Sequence, residues 1–267
     1  MKYKLAEDAK PQVWLLLIAT VITIVLWFIP YADYLVYPVR LFVTFIHESS
    51  HALIAVLTGG SVQSLTISAD ASGLTYSAPS GFFGALLTSS AGYLGTTVAG
   101  VLMLFLIRKR FSPKKILTAQ GIFVAVMLVV FTIISPIFNL FTLQVPFSSI
   151  LFTIVTGGFL AAALIGFGIY ASPKVANFAV AFLAAQCLLN ALSDLKTVLV
   201  VNTPFVGSDM ANDAANMALA THIPGFIWVL IWIGLSILMI SLGLRLYAVN
   251  KGRAGGDTVF EDAGNGV

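Results

Sequence analysis

His47, Glu48 and His51 sit inside an apolar run, VRLFVTFIHESSHALIAVL, over residues 39–57. The pattern His-Glu-x-x-His acquires meaning on a helix. There, positions i and i+4 share a face, so two imidazoles can grip one Zn²⁺. Glu48, beside the first of them, can reach a metal-bound water. Such a metal acidifies the water and the carboxylate takes its proton, which is metal-assisted peptide hydrolysis. Apart from Arg40 the flanks are apolar or neutral, so the stretch predicts a zinc site inside a membrane.

A five-residue pattern with three fixed positions also arises by chance. Here it uses two of the 3 histidines in the chain. It also sets three titratable groups into one apolar helix. Burying them without a metal would cost several kcal/mol, which argues against a coincidental structural role.

A catalytic zinc site has three protein ligands and one open position. A third histidine six residues past His51 would complete one class of site, but that position is Leu57. A downstream glutamate would complete another, but the only Glu after Glu48 is Glu261, near the end of the chain. Asp70, Asp194, Asp209, Asp213 and His222 remain. Asp194 is the strongest of these, because an ionisable group within an apolar span marks a functional site by default. Gln186, Asn190 and Asp194 recur at i, i+4 and i+8 and form one polar stripe. Asn190 could orient the carboxylate or bind substrate backbone. The plain alternative for Asp194 is pairing with Lys196 or with water. Asp209 and Asp213 fall in GSDMANDAANMALATHIP, read as an amphipathic helix. A solvated face is their simplest role; either could still support the metal or bind it. His222, before Ile223-Pro224, reads as a capping or interfacial residue.

The elements that must hold these side chains are apolar helices. The chain is 267 residues long, 59% apolar and 9% charged, with a mean hydropathy of +0.99. Soluble domains carry about 25% charged residues, so an all-α polytopic membrane protein is expected. Seven spans of about 20 apolar residues are expected near 12–30, 38–57, 80–107, 116–138, 147–170, 175–201 and 224–248. The four tryptophans, near span ends, read as interface anchors. A net charge of +3 marks topology and excludes a nucleic-acid surface. The single cysteine, Cys187, allows no internal disulfide and no cysteine-based zinc cluster, and reads as packing. Residues 1–249 read as one membrane-embedded domain, and 250–267 as a disordered polar tail. Val62–Ile67 and Leu74–Ser77 are β-prone around a turn at 70–73, which predicts a short hairpin directly after the His-Glu-x-x-His helix. Unpaired strand edges cannot face lipid, so it must lie at the surface or against protein. It is either a plain connection or an edge that holds an extended substrate. Gly81, Gly84, Gly92, Gly95 and Gly100 in the third span predict close packing against the zinc helix.

The sequence at this point resembles a known family. His47-Glu-Ser-Ser-His51 in a membrane helix, followed by Gly59-Gly60 and a β-prone segment, is similar to the site-2 protease family of intramembrane zinc metalloproteases. Asn190-Ala-Leu-Ser-Asp194 resembles that family's later asparagine-then-aspartate motif, although Ser193-Asp194-Leu195 stands where Leu-Asp-Gly is usual. Ser208-Asp209, Asp213-Ala214 and Ile223-Pro224 through Trp228 resemble its compact bacterial branch. The resemblance covers most of residues 34–235. It implies a multi-pass protein of the bacterial cell membrane that cleaves membrane-spanning substrates. His47, His51 and Asp194 would hold Zn²⁺ and Glu48 would act as general base. Two rival readings are a zinc-binding membrane protein without protease activity and a metal or small-solute transporter. The substrate and the oligomeric state are not legible.

Orientation does not resolve at this level. The resemblance implies an active site nearer the cytoplasm. The positive-inside rule instead draws Arg108-Lys109-Arg110 with Lys114-Lys115, and the C-terminal Arg245, Lys251 and Arg253, to the cytoplasmic side.

Overall fold

In the computed structural model, residues 10–26, 29, 31–203 and 212–248 are described. The tail expected at 250–267, Asp209 and Trp27 lie outside them. Eight helices and one hairpin are described, in the order α1 (Lys10–Leu26), α2 (Ala32–Leu57), β1 (Ser61–Ile67), β2 (Gly73–Ala78), α3 (Gly81–Arg108), α4 (Pro113–Phe138), α5 (Phe147–Tyr170), α6 (Pro173–Val201), α7 (Asp213–Thr221) and α8 (Gly225–Ala248). Six of them, α2 to α6 and α8, are long and apolar enough to cross a membrane. The first of the seven expected spans is the 17-residue α1, about 26 Å long at 1.5 Å per residue. α1 is tied to α6 by a hydrogen bond from the Gln186 amide to the Thr23 hydroxyl, so the upper end of the expected polar stripe serves helix packing.

The hairpin is antiparallel, with Ser61 opposite Ala78 and Ile67 opposite Gly73. Its turn is closed by Asp70, whose Oδ1 accepts from the Ser72 amide (2.9 Å) and the Ser72 hydroxyl (2.6 Å), the usual turn chemistry of aspartate. The hairpin does not project from the end of α2 but folds back along it. Near its root the Gly60 amide donates to the Ala55 carbonyl at 2.8 Å. At its turn the Thr44 hydroxyl donates to the Ala71 carbonyl (2.8 Å) and the Tyr37 hydroxyl to the Ala69 carbonyl (2.7 Å).

β1 is buried, with Leu65 and Ile67 fully enclosed. Its edge away from β2 would be costly to leave bare in an apolar setting, and two threonines from spanning helices cover it. Thr132 of α4 donates to the Leu65 carbonyl at 2.7 Å, and Thr153 of α5 accepts from the Ile67 amide at 2.7 Å. Thr132 lies in a π-helical stretch, Leu128–Ile134. Pro136 follows; it has no N–H for the Thr132 carbonyl and its ring crowds that carbonyl, and a wider turn accommodates both.

Trp232 departs from the expectation of an interface anchor. It is buried, donates from Nε1 to the Ser90 hydroxyl at 3.0 Å, and packs on Tyr93 with ring centres 5.6 Å apart. Cys187 is fully buried among α6 neighbours, as expected for a packing residue.

Candidate metal centre

α2 presents His47 and His51 one turn apart on the face that meets α3. The two Nε2 atoms converge to 3.0 Å. His51 Nδ1 lies 2.7 Å from the Thr88 carbonyl of α3. A carbonyl can only accept, so that contact places the ring proton of neutral His51 on Nδ1. The Nε2 lone pair is thereby turned inward, as a metal ligand requires. The His47 ring stands edge-on to Tyr93, with centres 4.7 Å apart.

Such convergence needs a neighbour without a side chain. Gly92 of α3 is that neighbour: a Cβ there would collide with Nε2 of both histidines. One turn on, a Cβ at Gly95 would collide with Ser50. Gly92 and Gly95 thus pack against α2 as expected, whereas Gly100 meets Leu188 and Ala184 of α6 and Gly81 faces open space. A third glycine, Gly73 at the start of β2, serves Glu48 in the same way. A Cβ there would strike the carboxylate. The hairpin is held at this level by Thr75, whose hydroxyl donates to the Glu48 carbonyl at 2.9 Å.

The carboxylate that the structure brings to the histidines is Asp213. Its Oδ2 lies 3.2 Å from His51 Nε2 and 3.5 Å from His47 Nε2. His47, His51 and Asp213 offer ligand atoms that all lie within 4.8 Å of one another. Asp213 is the first residue of α7, where Asn212 caps the helix by accepting from the Ala215 amide at 3.0 Å. The cap fixes the start of the helix and so the position of its first side chain. Burial disfavours charge on Asp213; where the imidazoles are protonated, their charge outweighs it and holds this carboxyl well below the usual range.

Asp194, expected to complete the ligand set, is not part of that cluster. It lines a cavity of about 270 Å³ with His47, Glu48, Arg40, Thr44 and Asn190. Asn190 donates to the Gln186 carbonyl at 2.9 Å. Asp213 opens α7, and Asp209 lies outside the described residues. Asp70 closes the hairpin turn, and His222 is the left-handed C-cap of α7 (φ 58°), the capping role expected of it. Asp213, Gly92, Gly73 and Thr88 are the residues that sequence reasoning missed or undervalued. Asn212-Asp213 at a helix start was the available signal for the first.

A second cavity, of about 800 Å³, opens on the Asp213 side and is bordered by β2 from Gly73 to Ser77, by Thr88 and by α7. His47, Glu48, Gly73 and Tyr93 line both cavities, so the site stands at their junction. Two imidazole nitrogens and one carboxylate oxygen make a donor set suited to Zn²⁺ with a fourth position free. The residues present fit that ion: a fixed tautomer, converging lone pairs and a glycine where a side chain would fill the space.

A family model described as Peptidase M50B-like matches residues 16–243. No curated protein and no solved structure matches the chain.

Proposed function

The chain belongs to the Peptidase M50B-like family, which bears out its resemblance to the site-2 proteases, and we propose that it is a zinc metalloprotease cutting peptide bonds of membrane-spanning substrates. The observation that carries this reading is the convergence of His47 Nε2, His51 Nε2 and Asp213 Oδ2 beside the carboxylate of Glu48. His47, His51 and Asp213 hold the metal, and Asp194 takes a substrate-side role in the smaller cavity. A bound Zn²⁺ supplies Lewis acidity, polarising a carbonyl and lowering the pKa of water.

Glu48 accepts a proton from the attacking water and delivers it to the leaving amine, the general-base and general-acid halves of one exchange. Its side chain borders both cavities, so water has a protein-lined route to it in a setting where lipid supplies none. Tyr93, on the same junction, holds the His47 ring edge-on. The outer edge of β2 borders the larger cavity. A substrate helix hides its carbonyls in hydrogen bonds, so it must unwind, and an extended segment can then pair with that edge. The domain of residues 1–249 holds the whole site.

Reconstitution with a single-span peptide tests the proposal. Cleavage should stop on chelation and return with Zn²⁺. Intact peptide together with metal flux across the bilayer would replace the protease by a transporter.

A further inference from the structure

An extended chain has two edges, and β2 can pair with only one of them. Which groups β2 offers follows from β1. The Leu65 carbonyl and the Ile67 amide are taken by Thr132 and Thr153, so both residues turn their peptide groups away from β2. Ser64 and Thr66 then turn theirs toward it, opposite Tyr76 and Leu74. Alternation along an antiparallel strand leaves the amides and carbonyls of Gly73, Thr75 and Ser77 on the outer edge of β2. All three residues border the larger cavity. Gly73 stands against the Glu48 carboxylate, so a chain paired along this edge passes beside the base.

α7 forms the facing wall. Asn212, Asp213, Asn216, Leu219 and Ala220 border the cavity, and their spacing traces one face of the helix. The first two are committed. Asn212 caps the helix and accepts from the Asn202 amide at 3.2 Å, and Asp213 faces the histidines. Leu219 and Ala220 carry no polar side-chain atom. Asn216, one turn beyond Asp213, is exposed on the cavity, and no described residue engages its side-chain amide. It is the one polar side chain of this wall left for a ligand among the described residues.

An unwound segment held on β2 still carries bare amides and carbonyls on its far edge. In an apolar setting each is costly to leave unsatisfied. A carboxamide offers the same kinds of donor and acceptor as a peptide group. We propose that Asn216 is a substrate-binding residue whose carboxamide hydrogen-bonds the far edge of the extended segment that β2 holds. The segment is then clamped through its main chain from both sides, and the site selects an unwound backbone rather than a particular side chain. The inference rests on the protease reading of the same site.

Peptide binding tests it apart from turnover. A fluorescent single-span peptide is titrated in detergent micelles against the Glu48→Gln protein, which lacks the base. Adding Asn216→Leu, close in size but without the amide, should weaken binding about tenfold, the loss of one hydrogen bond shielded from water. Zinc content should match that of the parent, and Asn216→Gln should recover part of the loss. Replacing the peptide's N–H groups by ester oxygens, one at a time, should reveal a position that matters to the parent and not to the Asn216→Leu protein. Unchanged affinity, or ester losses equal in the two proteins, overturns the clamp. Loss of zinc together with binding makes Asn216 a structural residue and overturns it too. Binding that depends on Asn216, with no cleavage by the wild type, sinks the protease reading and leaves the clamp standing.

Discussion

Asp213 Oδ2 lies 3.2 Å from His51 Nε2, across 162 residues of sequence and from a helix that does not span the bundle. α7 is nine residues long, too short to bury itself without neighbours, and it packs beneath Trp232 and Tyr93 through Ala214 and Met217. On the proposed ligand set, the third donor comes from a small element held by its packing on Tyr93 and Trp232. Replacing Asp213 by Ala should lower zinc affinity by more than about 100-fold, since even changes one shell further out cost about 10–100-fold. Asp194→Ala should bind zinc as the wild type does. Competition with a chromophoric chelator measures both, and loss of metal in the second variant alone would return the ligand role to Asp194.

Glu48 stands beside the histidines and borders both cavities. Its replacement by Gln keeps the shape and removes the base. The variant should keep its zinc and lose about 10²–10⁴-fold in cleavage rate, the range typical of a positioned acid–base group. Metal content and single-turnover cleavage, measured on one preparation, check the two halves. A variant that cuts at the wild-type rate would remove Glu48 from the mechanism.

Two glycines allow the metal and the base to be separated without touching either. At Gly92 an added methyl collides with both histidine Nε2 atoms; at Gly73 it collides with the Glu48 carboxylate. Gly92→Ala should therefore lose zinc, and cleavage with it. Gly73→Ala should keep zinc and lose cleavage alone. Helical content by circular dichroism should be unchanged in both. Equal loss of metal in the two would show that the glycines serve general packing.

Much of this was legible before any coordinates. His47, Glu48 and His51 lie within five residues, so helical periodicity alone brings them together. Gly92 and Gly95 of α3 meet the zinc helix as their spacing implies, while Gly100 turns to α6 and Gly81 to open space. Asp213 was harder. Its distance from the histidines depends on the turn after α6 and on where α7 begins, both set by tertiary contacts and by one cap. Asp194 read more strongly because an acid in an apolar span is conspicuous, yet polar groups in a span can serve a cavity as well as a metal. Trp232 was misplaced for a related reason: span position says how near a ring is to the interface, not which face of the helix it occupies.

The hairpin supplies the last prediction. β1 lies in a setting where a bare strand edge would be expensive, and Thr132 and Thr153 are the side chains that cover it, at 2.7 Å each. Valine has nearly the shape of threonine but neither donates nor accepts. Thr132→Val leaves the Leu65 carbonyl without that donor, and Thr153→Val leaves the Ile67 amide without that acceptor. Each unsatisfied buried group costs about 1–3 kcal/mol. The effect should be local, because α2 holds the hairpin independently through Thr44 and Thr75. Amide exchange at residues 61–78 should quicken by about ten- to a hundredfold, since each 1.4 kcal/mol is a factor of ten, while the spanning helices exchange as before. Because β2 also positions Gly73 against Glu48, cleavage should fall in step with the loosened hairpin and zinc content should not. Unchanged exchange in both variants would mean that some other contact closes the edge of β1.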